Sequence, residues 1–355
     1  MSLDKLRKQI DKLDAKLIEL LNERVSVALE IGKTKKEQGG EIYVPSREKA
    51  VFERISQLNE GGPLPDKSAR AIYREIMSAA LALESNLKIA YLGPPATFTH
   101  QAARSKFGAS VEYHPAGSIA DVFAAVENGN ADYGVVPIEN STEGAVTHTF
   151  DQFTGTTLKI CAEIYLPISL CLMASVPREK VSRICSKQEA LGQCRRWLNA
   201  NMSGIEFEAV NSTTLAAEMA STSDCAAVAS KFAAELYNLD ILAENIQDVR
   251  GNTTRFLVIG RTCSEPTGED KTSIYFGIKD KVGALHDTLD TLKNNGINMT
   301  KIESRPSGDK VWEYVFFVDF EGHADSPNVK KALEEMEEHC AILNVLGSYP
   351  KASGV

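Results

Sequence analysis

The stretch "GVVPIENSTEGAV", Gly134–Val146, begins as a buried strand, Val135-Val136-Pro137-Ile138, and then presents Glu139, Asn140, Ser141, Thr142 and Glu143 in succession. A short apolar run that ends in polar, turn-forming residues reads as an interior strand leading into a loop. Ligands of open α/β sheets sit at such carboxyl ends. The polar cluster therefore either starts the next helix or holds a ligand. Asn140 with Glu143 three residues on is a capping-box arrangement and predicts a helix start. Glu139 is not needed for capping and is the first candidate for contact with a ligand.

On both sides the same alternation continues. From Lys88 it runs "KIAYLG", "TFTHQAARSKF", "VEYHPA", "IADVFAAVENG" and "YGVVPIE". After "LPISLCLMAS" it resumes with "SRIC", "EALGQCRRWLNA", "IEFEAV", "TTLAAEMAS", "CAAVAS" and "KFAAELYN", and it ends on "RFLVIG". This predicts an α/β region of two similar lobes, Lys88 to about Tyr165 and Leu166 to about Gly260, with a crevice between them. "CSEPTGEDK", Cys263–Lys271, reads as a polar linker. Beyond it the order is βαββαβ, a small ferredoxin-like sandwich, with Gly296 closing its first helix.

Before Lys88 the period is helical. Leu3, Leu6, Ile10, Leu13, Leu17, Leu20, Val27 and Ile31 form a heptad seam on one long helix over residues 1–37. Two further helices follow, interrupted by Gly39-Gly40, Pro45 and "EGGPLPD". Three helices with one long arm make a thin monomer, and a shared helical dimer would bury the seam better.

Bulk properties narrow the function classes. The chain has 355 residues, enough for two or three domains, with 43% hydrophobic and 25% charged residues and a net charge of −9. No broad basic surface for nucleic acid is expected. No signal peptide or bilayer-spanning run is evident, and the seven cysteines show no metal-ligand spacing. A reduced, cytoplasmic protein without metal or cofactor is the expectation.

Two charges on the first helix are out of place. Arg24 stands in the seam, where a snorkelling arginine is one reading. Lys35 returns to nearly the same face. Arg7 lies roughly 25 Å from Arg24 at 1.5 Å per residue, too far for one small ligand to touch both. If both serve one site, a second copy of the chain brings Arg7 across.

"LRKQIDKLDAKLIELLNERVSVALEIGKTK", "VPSREKAVFERI" and "REIMSAALALE" resemble the helical chorismate mutase family over residues 1–86. The resemblance places Arg7, Arg24, Lys35, Arg47, Glu48 and Glu84 on substrate-binding positions. It implies a dimer whose sites are shared between chains. Arginines and lysine would grip the two carboxylates and the ether oxygen of chorismate; a pericyclic rearrangement needs positioning and electrostatic stabilisation rather than a nucleophile. Glu84 must be protonated to donate to the ether oxygen, which would favour activity in acid. Val44 and Ala80 depart from the Asp and Ser of some relatives.

"GPPATFT", "PIENSTEGAV", "ALGQCRRWL" and "NTTRF", in that order, resemble prephenate dehydratase over residues 87–262. The resemblance implies a periplasmic-binding-protein-like pair of lobes and puts Glu139, Asn140, Gln193, Thr254 and Arg255 in the active site. Thr254 would deliver a proton to the leaving hydroxyl, and Arg255 would bind a substrate carboxylate bidentately. "SKQE" at Ser186–Glu189 departs from the family's usual "SHPQ", and Pro95-Ala96 replaces its second glycine. Residues 271–350 resemble the ACT domain, with Gly283, Ala284, Leu285 and His286 and then Glu303, Ser304, Arg305 and Pro306 as its two ligand motifs. That implies feedback by phenylalanine at a dimer interface. A chain with one decayed activity, or a phenylalanine sensor without catalysis, are the alternatives.

Overall fold

The computed structural model describes residues 2–38, 43–306 and 314–352. They form two compact units, one of residues up to Lys88 with Lys106–Glu112, the other of Ile89–Ser105 with Tyr113 onward.

The first unit is helical, as the periodicity predicts: α1 (Leu3–Gln38), α2 (Pro45–Leu58) and α3 (Asp66–Ser85). Pro45 opens α2, where a missing N–H costs nothing, and Asn86 closes α3 in the left-handed conformation at φ 50°. α3 packs against both other helices, with Phe52, Ile55, Ala69 and Ala80 buried. Gly32 is the point of close approach, since a Cβ there would stand 2.2 Å from the Glu84 Cγ. The heptad seam remains exposed along this chain, with Leu13 and Leu20 each 60% exposed.

From Lys88 the chain alternates strand and helix: β1 (Lys88–Leu92), α4 (Phe98–Phe107), β2 (Glu112–Ala116), α5 (Ile119–Glu127), β3 (Tyr133–Asn140), β4 (Gly144–Ala145), α6 (Thr147–Phe153) and β5 (Lys159–Pro167). The second lobe holds β6 (Cys171–Ala174), β7 (Arg183–Ser186), α7 (Gln188–Gln193), α8 (Arg195–Asn201), β8 (Glu206–Ala209), α9 (Thr213–Thr222), β9 (Ala226–Ala229), α10 (Lys231–Tyr237) and β10 (Asp240–Ala243). Then β11 (Thr253–Gly260) returns to the first sheet, whose order is β2-β1-β3-β11-β5; the second is β10-β6-β9-β7-β8.

That return corrects the expected lobe boundary. "RFLVIG" belongs to the first lobe, antiparallel to both β3 and β5. Phe256 to Ile259 are all buried, and an apolar strand of this kind needs a neighbour on each side. The chain therefore crosses between lobes twice, near Pro167 and near Asn252. The expected single helix "EALGQCRRWLNA" is also two, broken at Cys194, with the Asp248 carboxylate accepting from the Arg196 and Trp197 amides at the start of α8.

The last part is β12 (Asp270–Ile278), α11 (Ala284–Asn294), β13 (Met299–Pro306), β14 (Tyr314–Glu321), α12 (Pro327–His339) and β15 (Cys340–Pro350), in sheet order β13-β14-β12-β15. Residues 307–313 lie outside the described residues. One face of this sheet packs Ile274, Phe276, Val318 and Phe320 against the two helices. The other packs Tyr275, Phe317, Leu346 and Tyr349 onto Ile138, Phe150, Ile160 and Leu257 of the first lobe. Asp270 and Lys271, expected in a linker, are buried in β12.

Candidate active sites

In the helical unit, Arg24 and Lys35 of α1, Arg47 and Glu48 of α2 and Glu84 of α3 line one cavity of about 210 Å³. Val44 and Ala80 form part of its apolar wall. Arg7 is not there; its side chain is 70% exposed, 4.0 Å from Asp4. Glu84 Oε1 is buried without a hydrogen-bond partner among the described residues. Glu48 is the opposite: Oε2 accepts from the Tyr43 hydroxyl at 2.8 Å and lies 2.5 Å from Lys106 Nζ, with Arg74 Nη1 3.7 Å from Oε1. Sequence reasoning missed Arg74 and Lys106, which sit far along the chain from Glu48.

In the two-lobed region the five candidates divide into two groups. Asn140 Oδ1 accepts from the amides of Thr142 and Glu143 at 2.9 and 3.0 Å. This is cap chemistry, but it closes a turn into β4 and does not start a helix, which corrects the capping-box reading. β4 folds back on β3, and α6 begins only at Thr147. With Oδ1 so occupied, the Asn140 amide nitrogen is fixed as donor to Thr254 Oγ1 at 2.7 Å and Asn252 Oδ1 at 2.8 Å. Asn252 Nδ2 donates onward to Gln193 Oε1 at 3.4 Å, and Gln193 Nε2 to Glu143 Oε1 at 2.9 Å. Gln193, Glu143 and Asn252 border an open groove of about 610 Å³ that also takes in Arg195 and Arg196. Asn252 and Glu143 were missed as partners, although both lie within motifs already singled out.

Glu139 and Arg255 are turned the other way. Arg255 is buried, and each of its guanidinium nitrogens has a partner: Nε with Glu163 Oε2 at 2.9 Å, Nη1 with Asp319 Oδ2 at 2.5 Å and Nη2 with the Tyr349 hydroxyl at 2.9 Å. Lys271 Nζ adds bonds of 3.0 and 2.8 Å to Glu163, and Ser273 Oγ one of 2.6 Å to Asp319. Burial alone would lower the Arg255 pKa; Tyr349, Asp319 and Glu163 outweigh it and raise it well above the ordinary value. Glu139 Oε2 pairs with Lys301 Nζ of β13 at 2.7 Å. The guanidinium expected to grip a substrate carboxylate bidentately is held here by the carboxylates of Glu163 and Asp319. Successive strand residues point to opposite faces, so Thr254 and Arg255 lie on opposite sides of β11.

In "GPPATFT", Ala96 stands at φ 68°, a conformation that favours glycine, and its amide donates to His100 Nδ1 at 3.1 Å. Burial, with Arg104 close by, pushes the His100 pKa down to about 4.

The ACT-like motifs sit where the sequence puts them. Gly283, at φ 81°, precedes α11; Ala284 is buried, Leu285 half-buried and the His286 side chain 81% exposed. Glu303, Ser304, Arg305 and Pro306 end β13, the edge strand of its sheet. Arg305 Nη2 donates to Asp151 of α6 at 3.0 Å.

Three family models match the chain: chorismate mutase type II over residues 6–85, prephenate dehydratase over 89–264 and the ACT domain over 272–338. The bifunctional chorismate mutase/prephenate dehydratase of Aquifex aeolicus is 51% identical over 355 residues, covering 99% of this chain and 98% of that one. The chain belongs to the bifunctional chorismate mutase/prephenate dehydratase family. It is an enzyme with a mutase domain and a dehydratase domain in one polypeptide. Among solved structures, prephenate dehydratase from Arthrobacter aurescens in complex with L-Phe has a TM-score of 0.69 at 34% identity, covering 75% of this chain and 90% of that one. A protein described as GqqA, a novel type of quorum-quenching acylase, gives 0.68 at 30%, covering 75% and 98%. Shared fold thus does not fix activity; the full-length match, mutase region included, decides the family here. No helix among the described residues is long and apolar enough to cross a membrane.

Proposed function

We propose that one chain rearranges chorismate in the cavity between α1, α2 and α3 and dehydrates prephenate at Thr254, with L-phenylalanine acting through the carboxy-terminal sheet. The observation that carries the dehydratase assignment is the fixed direction of the Asn140 amide. Asn140 donates to Thr254 Oγ1, so the threonine hydroxyl accepts there and keeps its own proton to donate. The ring carboxylate of prephenate leaves as CO2, its bonding pair becomes a ring double bond, and the ring hydroxyl departs as water with a proton passed on by Thr254, which regains one from solvent. Asn140, Asn252 and Gln193 orient the substrate. Glu139 and Arg255 act as positioning residues behind β3 and β11.

In the mutase cavity, Arg24, Lys35 and Arg47 bind the carboxylates and Glu84 donates to the ether oxygen, which develops negative charge in the transition state. Arg7 comes from a second copy in a homodimer. The exposed α1 seam supports this reading, because a long apolar stripe is a surface for association. Domain limits of 1–86, 87–262 and 271–350 follow the changes in periodicity. A periplasmic-binding-protein-like arrangement of the lobes is supported by the two chain crossings, and a ferredoxin-like sandwich by the βαββαβ order. A cytoplasmic site of action suits soluble substrates.

Phenylalanine would bind at Gly283–His286 and Glu303–Pro306, favouring a less active state. The test supplies purified protein with chorismate alone and follows phenylpyruvate with and without millimolar phenylalanine. Phenylpyruvate production that phenylalanine suppresses is the expected result. Prephenate accumulating without phenylpyruvate would refute the dehydratase assignment.

A further inference from the structure

Lys106–Glu112 lies inside the stretch that matches prephenate dehydratase, yet it packs with the mutase helices. Its seat on α3 is close and specific. Gly108 has φ +77°, and a Cβ there would stand 2.5 Å from the Ser78 Cβ. Glycine alone meets both demands. The amides of Ala109 and Ser110 donate to Glu75 Oε2 at 2.9 Å and Ser78 Oγ at 3.0 Å. Arg74 Nη1 donates to the Lys106 carbonyl at 2.7 Å, and the Phe107 and Tyr43 rings lie 4.9 Å apart. These contacts bring Lys106 to the wall of the mutase cavity, with its Nζ 2.5 Å from Glu48 Oε2. The two side chains are only 21% and 10% exposed.

We propose that Lys106 is a positioning residue of the mutase reaction, supplied by dehydratase-type sequence, that holds Glu48 in its working orientation. The inference rests on the mutase reading of this cavity. Glu48 is a carboxylate in a cavity meant for a dianionic substrate, so it needs a cation to stay oriented and to offset repulsion. Lys106 and the Tyr43 hydroxyl both hold Oε2, which fixes the carboxylate plane. Oε1, with Arg74 at 3.7 Å, is then the oxygen left for a substrate donor. A charge-assisted bond in a half-buried site is strong enough to set that geometry.

The test uses the full-length protein and two separate assays, chorismate to prephenate and prephenate to phenylpyruvate. K106M should lower mutase kcat/KM about tenfold, mostly through KM, while K106R should stay within about threefold of wild type. Prephenate turnover should be unchanged in both. If Lys106 acts through Glu48, K106M in an E48Q background should add little further loss. Wild-type mutase kinetics in K106M would overturn the inference, as would losses that add in full with E48Q. Equal loss of both activities in K106M and K106R would also overturn it, because that is the mark of a folding defect. Wild-type turnover of chorismate is measured first. Its absence would sink the mutase reading, whereas its presence with an unaffected K106M would sink the Lys106 inference alone.

Discussion

Thr254 and Arg255 are neighbours in the chain and face opposite sides of β11. Thr254 meets the Asn140 amide, while Arg255 joins a buried cluster in which Arg255 and Lys271 balance Glu163 and Asp319. Breaking a buried ion pair from one side leaves an uncompensated charge and costs about 3–5 kcal/mol. Arg255→Leu should therefore lower stability by that order in denaturant unfolding. Dehydratase loss without any loss of stability would show instead that Arg255 contacts substrate.

Asn140→Asp keeps the shape and the acceptor for the turn amides but replaces the donor beside Thr254 with an oxygen. Thr254 would then donate its proton to the introduced carboxylate and lose it for the substrate. A well-placed general acid is worth about 10²–10⁴ in rate. Dehydratase kcat should fall within that range while mutase activity stays, and near-normal kcat would contradict the directional hydrogen-bond chain.

Glutamine donates a hydrogen bond at every pH, whereas a carboxyl donates only when protonated. Glu84→Gln should therefore extend mutase activity toward high pH, and an unchanged profile would remove Glu84 from the mechanism. Gly32→Ala gives a second handle on the same residue. Alanine is normally the better helix former by about 1 kcal/mol. Here its Cβ would stand 2.2 Å from the Glu84 Cγ, so the glutamate must move. Mutase kcat should fall with little change in dehydratase rate.

His100 gives the dehydratase region a pH dependence with a definite sign. Its folded-state pKa of about 4 lies below the ordinary histidine value. As pH falls from about 6.5 to about 4, the unfolded chain binds a proton that the folded one does not. The associated stability, up to about 3 kcal/mol, is complete above that window and is lost toward acid. Unfolding curves at pH 7 and 4.5 should differ less in His100→Gln than in wild type. An equal difference in both would exclude His100 as the source.

Much of this was legible in the sequence because it depends on local periodicity. The heptad seam marked α1, and alternating strands and helices marked the region after Lys88. Pairing across long separations was not legible. Nothing in "RFLVIG" says that it returns to the first sheet, and nothing near Lys106 says that it meets Glu48. Two signals were present but unused. A strand through Thr254-Arg255 already implies opposite faces, and Glu163 within the apolar run "ICAEIYLP" already implies a buried partner. The turn at Asn140 was misread because an asparagine accepting two successive amides serves a helix start and a tight turn equally well.

The most direct measurement gives Thr254→Val chorismate as its only substrate and follows prephenate and phenylpyruvate together. Prephenate should form at the wild-type rate and accumulate, with almost no phenylpyruvate. Phenylpyruvate at the wild-type rate would contradict the role given to Thr254, because the proton for the leaving hydroxyl would then come from another group.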